Sequence, residues 1–279
     1  VDKPAGWTSH DVVNKIRRIT GEHSVGHLGT LDPLATGVLP LLLGRATRLA
    51  KFYGSSDKVY EATIRFGFAT TTYDTEGDAT TEAVSVSLDP EQLELALTQF
   101  RGGIEQVPPA FSAKKIRGVA AYKLARRDQV VELAPVRVEI HSLELLRVSG
   151  DTAEMRVHCS SGTYIRSLAH DLGGVLGFGA HLVALRRTRS GEFQTAHTIE
   201  KVEADFASVM IPAAGLLPSF PIVEVDDTAA AQIRHGRDFR TNPFRALDAK
   251  YVKAVSESGE LIAIGQAVLP NLYHPVVVL

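Results

Sequence analysis

The chain has 279 residues, 44% hydrophobic and 22% charged, which excludes a disordered polymer and leaves room for one large domain or a large and a small one. Its formal net charge of −2 announces no polyanionic partner, so any nucleic-acid contact has to come from local basic patches. The single cysteine, Cys159, excludes an intrachain disulfide and a Cys/His metal framework. No apolar run reaches membrane-span length and no signal-peptide pattern is visible, so a reducing, cytoplasmic setting is the default expectation. The chain opens on Val1 rather than Met, so a few residues are expected ahead of it.

Residues 2–9 read as a turn-rich loop containing Lys3. Thr8 and Asp11 stand at capping-box spacing, and Val12, Val13, Ile16 and Ile19 recur at helical spacing up to a stop at Gly21. Lys15, Arg17 and Arg18 lie mostly off that stripe and read as a solvated face. Residues 26–40 hold one carboxylate, Asp32, among three glycines and two prolines. Pro33 pushes Asp32 toward an extended conformation, and the glycines permit close approach of another chain. Either this is a shaped loop presenting one acid, or Asp32 caps a short helix with Pro33 at its first position.

Residues 38–43 form an apolar run expected as a buried strand, and residues 46–53 read as a helix carrying Arg48 and Lys51. From Lys58 the chain alternates, placing Tyr60, Ala62, Ile64, Phe66 and Phe68 on one face; pattern alone makes Tyr60 a core tyrosine. A polar loop at 70–81 includes Asp74. Asp89 and Pro90 then start a helix with Leu93, Ala96, Leu97 and Phe100 inward, ended by Gly102 and Gly103.

Residues 108–137 carry Lys114, Lys115, Arg117, Lys123, Arg126, Arg127 and Arg137 against only Asp128 and Glu132, with Phe111 and Tyr122 interleaved. That composition suits a segment that tracks phosphates and stacks on bases, or else a solvated loop. Alternation around 136–140 and 153–159 predicts antiparallel strands joined by a turn at 149–151. Ile165, Leu168, Ala169, Leu172, Val175 and Leu176 predict a helix stopped by Gly177. Tyr164 and Arg166 therefore sit at a strand-to-helix junction, where an arginine opposes the helix dipole and points to an acidic partner. Residues 181–191 read as a strand ending in a basic turn whose arginines reach phosphate. After a break near 217–221, a capped helix at 227–235 and short strands near 251–255, 261–267 and 276–278 form a small β-rich tail.

The run Gly26-His27-Leu28-Gly29-Thr30-Leu31-Asp32-Pro33-Leu34-Ala35-Thr36-Gly37-Val38-Leu39-Pro40 resembles the catalytic loop of the TruB family of pseudouridine synthases, which convert the T-loop uridine of transfer RNA (position 55) to pseudouridine. The opening Asp-Lys-Pro-Ala-Gly-Trp-Thr-Ser, the Pro-Pro-Ala-Phe-Ser-Ala-Lys-Lys pattern and Gly-Thr-Tyr-Ile-Arg at 162–166 resemble further motifs of that family. The resemblance implies an α+β pseudouridine synthase fold with a central mixed or antiparallel sheet flanked by helices. It implies a catalytic domain over 1–217 with a thumb-like insertion at about 108–137, and a C-terminal PUA-like RNA-binding module over 218–279. Asp32 is then the catalytic carboxylate, Arg166 its partner, and Tyr60 the ring that stacks on the target base and a candidate base for its C5 proton. Tyr164 and Leu185 line the base pocket. His27 fills the vacated stack, and Lys3, Arg48, Lys114, Lys115 and Arg117 contact the substrate RNA.

The chemistry fits the residues. Breaking the bond from ribose C1′ to base N1, turning the base and rejoining it at C5 requires no redox change, cofactor or metal. One carboxylate suffices, whereas a glycosidase would need a second as acid. Extruding the base costs a few kcal/mol in general. The expected partner is the transfer RNA T stem-loop, with no membrane and no obligatory protein partner, and the protein is expected to be a monomer. Two rival readings remain: a non-catalytic tRNA-binding or folding protein, which would not need Asp32, and a guide-RNA-dependent synthase, which would need protein partners.

Overall fold

The computed structural model describes residues 1–112, 133–241 and 248–279, and the backbone alone at 115–116 and 119–120. Two compact units are present. The larger comprises residues 1–12, 28–40 and 54–199, and the smaller 13–27, 41–53 and 200–279.

The larger unit is built on a seven-stranded sheet. Its strands are β1 (Asp2–Lys3), β3 (Thr36–Val38), β5 (Lys58–Phe66), β6 (Gly102–Gln106), β9 (Val136–Ser149), β10 (Thr152–Cys159) and β11 (Ala180–Ser190). They lie in the order β1-β3-β11-β5-β10-β9-β6; β3 and β11 run parallel and the other pairs antiparallel, so the sheet is mixed as expected. The alternation in β5 buries Tyr60, Ala62, Ile64 and Phe66. Helix α2 (Pro90–Leu97) starts where Asp89 accepts a hydrogen bond from the Glu91 N–H at 2.9 Å, and it buries Leu93, Ala96 and Leu97. Helix α3 (Ile165–Leu176) buries Ile165, Leu168, Ala169 and Leu172 and ends at Gly177 in the left-handed conformation, φ 79°. Val175, expected on its inner stripe, is exposed.

Three expectations shift for identifiable reasons. The apolar run at 38–43 is two short strands, β3 and β4 (Leu41–Leu43), because Pro40 offers no N–H to continue a ladder. Gly102 and Gly103 do not simply end a helix. Helix α2 ends at Leu97, a 3-10 turn covers Thr98–Phe100, and the glycines open β6, a sheet-edge strand where missing side chains are tolerated. The basic end of 181–191, expected as a turn, stays extended, and the strand runs through the arginines to Ser190.

In helix α1 (Ser9–Thr20), Asp11 Oδ2 accepts from the Thr8 N–H at 2.8 Å, and Thr8 Oγ1 accepts from the Asp11 N–H at 3.1 Å, which is the reciprocal capping box the spacing announces. In the smaller unit β2 (Val25–His27) pairs with β4, and the expected helix after it is a 3-10 helix, Gly44–Phe52. A five-stranded sheet follows, ordered β12 (Ile222–Val225), β14 (Tyr251–Ser256), β15 (Leu261–Leu269), β16 (Leu272–Val278) and β13 (Phe239–Arg240). A helix at Asp227–Arg234, capped by Asp226, packs Ala230 and Ile233 into a core with Val223, Val252, Ile262 and Tyr273. The sequence reading missed β12 and β13, which are short and flanked by turn residues.

Candidate active site

The Asp32 loop is held from four sides in the larger unit. The buried Ser9 hydroxyl donates to the Leu31 carbonyl at 3.1 Å and accepts from the Leu31 N–H at 2.9 Å. The ammonium of Lys3, fully buried, donates to the carbonyls of Pro4, Trp7 and Pro33, at 3.1 Å for Pro33. The Gly6 N–H also donates to Pro33. Arg187, only 1% exposed, donates from Nε to the Val38 carbonyl at 2.8 Å and from Nη2 to the Gly29 carbonyl at 3.1 Å. Gly37, at φ +101°, lets that strand approach so closely that a Cβ there would lie 2.2 Å from the Arg187 carbonyl oxygen. The Asp32 carbonyl accepts from the Ala35 N–H, so the expected shaped loop is a tight turn.

Arg166 grips the Asp32 carboxylate with a two-pronged fork. Its Nε donates to Oδ2 at 2.9 Å and its Nη2 to Oδ1 at 3.1 Å. The same guanidinium donates to the carbonyls of Thr72 at 3.0 Å and Phe111 at 2.9 Å, and lies 3.4 Å from an Asp74 carboxylate oxygen. The Arg166 side chain is 5% exposed and that of Asp74 3%, while that of Asp32 is 34% exposed. A buried cation is thus paired with one buried acid and holds a second acid toward solvent. The misfit of an arginine at a helix start resolves as the sequence implied, with Asp74 joining Asp32.

The frame behind this fork comes from β6. Gln106, 1% exposed, clamps the residue before α3: its Oε1 accepts from the Tyr164 N–H at 2.8 Å and its Nε2 donates to the Tyr164 carbonyl at 3.0 Å. Ser167 Oγ donates to the Val107 carbonyl at 2.7 Å. Burial is the main force raising the Tyr164 phenol pKa, offset by a hydrogen bond with Ser112. Tyr60 is buried, and burial raises its phenol pKa against the pull of the nearby Arg187 guanidinium. Leu185 is buried beside Ala62, two residues along β5 from Tyr60, which puts the two on one face.

The structure therefore gathers Asp32, Arg166, Tyr60, Tyr164 and Leu185 in one unit. Lys3 stands behind the loop as a brace; burial lowers its pKa to about 8, with Asp32 the foremost group opposing that shift. His27 and Arg48 belong to the smaller unit. His27 closes β2 opposite Leu41, and Arg48 donates to the Val278 carbonyl at 2.8 Å. Lys114 and Arg117 lie outside the described residues, and for Lys115 only the backbone is described, paired in a short hairpin with Ala120. Arg187 corrects the reading of the β11 arginines as phosphate contacts: its guanidinium points inward and is spent on the loop. Arg186 pairs with Asp2, and Arg189 with His158. Gln106 and Ser9 carried no sequence signal of their role.

A single partly exposed carboxylate aimed by a buried guanidinium, with the buried Tyr60 and the half-buried Tyr164 in the same unit, defines a site for one-acid chemistry on a mixed α+β frame. The profile described as the TruB family pseudouridylate synthase N-terminal domain matches residues 17–165, and that of the tRNA pseudouridylate synthase B C-terminal domain matches 166–210. The chain is 58% identical over 287 residues to tRNA pseudouridine synthase B of Solibacter usitatus (strain Ellin6076), covering 100% of this chain and 98% of that one. It is 47% identical over 246 residues to the protein of the same name from Thermobifida fusca (strain YX), covering 85% and 84%. Among solved structures it is similar to a chain of an H/ACA ribonucleoprotein bound to a substrate RNA containing 2′-deoxyuridine, with TM-score 0.70, 26% identity, and coverage of 100% of this chain and 83% of that one. It is also similar to a chain of the archaeal box H/ACA Nop10–Cbf5 complex, with TM-score 0.68 and 26% identity, covering 99% and 84%. The chain belongs to the TruB family of pseudouridine synthases.

Proposed function

We propose that this chain isomerises the T-loop uridine of transfer RNA (position 55) to pseudouridine, with Asp32 as the catalytic carboxylate. The observation that carries the reading is the Arg166 fork on Asp32, which fixes the direction of one partly exposed acid while the guanidinium itself is buried. Asp32 either attacks C1′ or takes a ribose proton; the C1′–N1 bond breaks, the base turns, C5 bonds to C1′ and the C5 proton leaves. Tyr60 and Leu185 form the floor on which the flipped base stacks, and Tyr164 closes the pocket. His27 takes the emptied place in the RNA stack. Basic residues of 108–137, with Arg48, meet phosphate.

The full-length likeness to proteins named tRNA pseudouridine synthase B supports transfer RNA as the substrate and a catalytic rather than a merely binding or folding role. The same likeness, with the basic segment at 108–137, favours a monomer that recognises the T stem-loop without guide RNA or partner protein, in the cytoplasm. Among the described residues no helix is long and apolar enough to cross a membrane. Residues 218–279, largely the five-stranded sheet, act as the PUA-like RNA-binding module behind a catalytic domain over 1–217.

The test is to incubate the protein with a T stem-loop transcript and assay pseudouridine. Wild type should convert the loop uridine, and Asp32→Asn should form no product while binding RNA within a few fold of wild type. Turnover by Asp32→Asn at the wild-type rate would end the proposal.

A further inference from the structure

On the sheet of the larger unit, but not at Asp32, three metal-ligating side chains converge from three strands or their ends. Asp57 precedes β5, His141 lies in β9 and His158 in β10. Their ligand atoms all lie within 4.8 Å of one another. His141 Nε2 is 3.3 Å from Asp57 Oδ1, and His158 Nε2 is 3.8 Å from Asp57 Oδ2. The imidazole centroids are 4.7 Å apart. A β-bulge brings this about: His158 pairs with Ser142 and Cys159 with Ile140, so His141 is the extra residue. Bulges turn a side chain out of the regular alternation, and here the turn lays His141 beside His158. His158 pairs across from Val59, one residue from Tyr60, so the cluster occupies the sheet face opposite Tyr60.

We propose that Asp57, His141 and His158 bind a first-row transition dication, with zinc as the test ion. Ligand atoms of a tetrahedral zinc with bonds of about 2.0–2.1 Å lie roughly 3.4 Å apart, so the observed separations need only small side-chain movements. Both histidines offer Nε2 inward. Glu139 Oε1 lies 3.8 Å from His141 Nδ1, the place of the outer carboxylate that orients a metal-bound imidazole. Asp57 and Glu139 bring two carboxylates to the histidines, opposite the cations Arg189 and Lys58. Arg189 Nη2 lies 2.9 Å from His158 Nε2, and its buried Nε has no hydrogen-bond partner among the described residues. A dication would replace the guanidinium at His158 Nε2. With three protein ligands, the fourth position is left to water, as the partly exposed His141 permits.

The experiment uses the full chain in chelator-free buffer at neutral pH. Zinc binding is measured by competition with a chromophoric indicator, and cobalt(II) binding by visible absorption. Wild type should bind one equivalent at about 10 μM or tighter. His141→Ala and Asp57→Asn should each weaken this at least about tenfold, and Glu139→Gln by a smaller factor. Cys159→Ser should change nothing, since that thiol is buried and, following His158 along β10, lies on the other face of the sheet. Circular dichroism establishes that the variants are folded; zinc should raise the Tm of wild type and not of His141→Ala. No equivalent bound at 100 μM zinc, or equal affinity in wild type and folded His141→Ala and Asp57→Asn, would overturn the site. An ion pair of Asp57 with protonated histidines as the cluster's only role would give the first of these results. Binding is read without RNA, so the outcome is independent of the proposed catalysis.

Discussion

At the residue scale, the pair Arg166 and Asp32 makes the sharpest demand. Lysine at 166 would supply charge without the fork. Arg166→Lys should therefore leave Asp32 misaimed and lower kcat by about 100-fold, a loss that small misplacements commonly produce. Arg166→Ala should lose more, and in Asp32→Asn either change should add little, since the two act as a unit. Single-turnover rates on a T stem-loop decide this; additive losses would separate the residues. Tyr60 yields a second expectation. Its pKa is raised, chiefly by burial, so the folded state prefers the neutral phenol. The stability this preference contributes is complete below the ordinary tyrosine pKa and is lost as pH rises through the folded value. Tyr60→Phe should thus be less sensitive to alkaline unfolding than wild type and lose a late-titrating phenol in ultraviolet titration. It should bind RNA nearly normally, because stacking needs only the ring, and should stall after base detachment if the hydroxyl removes the C5 proton. Arg166 was legible in the sequence because a cation at a helix start asks for an acid. Gln106 was not, because a glutamine at a strand end has many ordinary uses and only the fold brings it to Tyr164.

At the element scale, the Asp32 loop depends on β11. Three arginines in four residues look like a surface turn closing the stretch 181–191. Continued with period two, the same strand would have placed Arg187 inward with Leu185 and Arg186 outward, as found. Composition overrode periodicity there, and a bracing residue was read as a phosphate contact. Gly37→Ala should be severely destabilising, by more than about 2 kcal/mol, because it combines a left-handed φ with a collision against the backbone of β11. Arg187→Met leaves the Gly29 and Val38 carbonyls without their donors, at about 1–3 kcal/mol for each buried group left unpaired. Urea unfolding measures both. A variant that stays folded should bind RNA yet lose turnover, because the loop that aims Asp32 loosens; Arg187→Met with wild-type kcat would show that the brace is dispensable.

At the scale of the whole molecule, the longer strands and helices were readable from periodicity and the central sheet from the family resemblance, whereas the composition of the units was not. The smaller unit draws on three separated stretches of chain, and sequence patterns report neighbours along the chain, not across it. Charge is where the whole and the part diverge most. The chain carries a formal −2, so a polyanion gains nothing from the molecule's total charge. Residues 108–137 hold seven bases against two acids. If that segment meets the T stem-loop, its lysines and arginines displace counterions condensed on the RNA, and affinity falls with salt in proportion to the phosphates neutralised. Replacing Lys114, Lys115 and Arg117 together by glutamine should then weaken binding of unrelated RNA sequences as well as the T stem-loop. It should also reduce the slope of log Kd against log salt by about one for each phosphate no longer neutralised, up to roughly three. Base-specific recognition would behave differently, relaxing sequence preference with little change of slope. Filter binding across a range of potassium chloride concentrations separates the two, and an unchanged slope in the triple variant would place the phosphate-binding residues elsewhere on the chain.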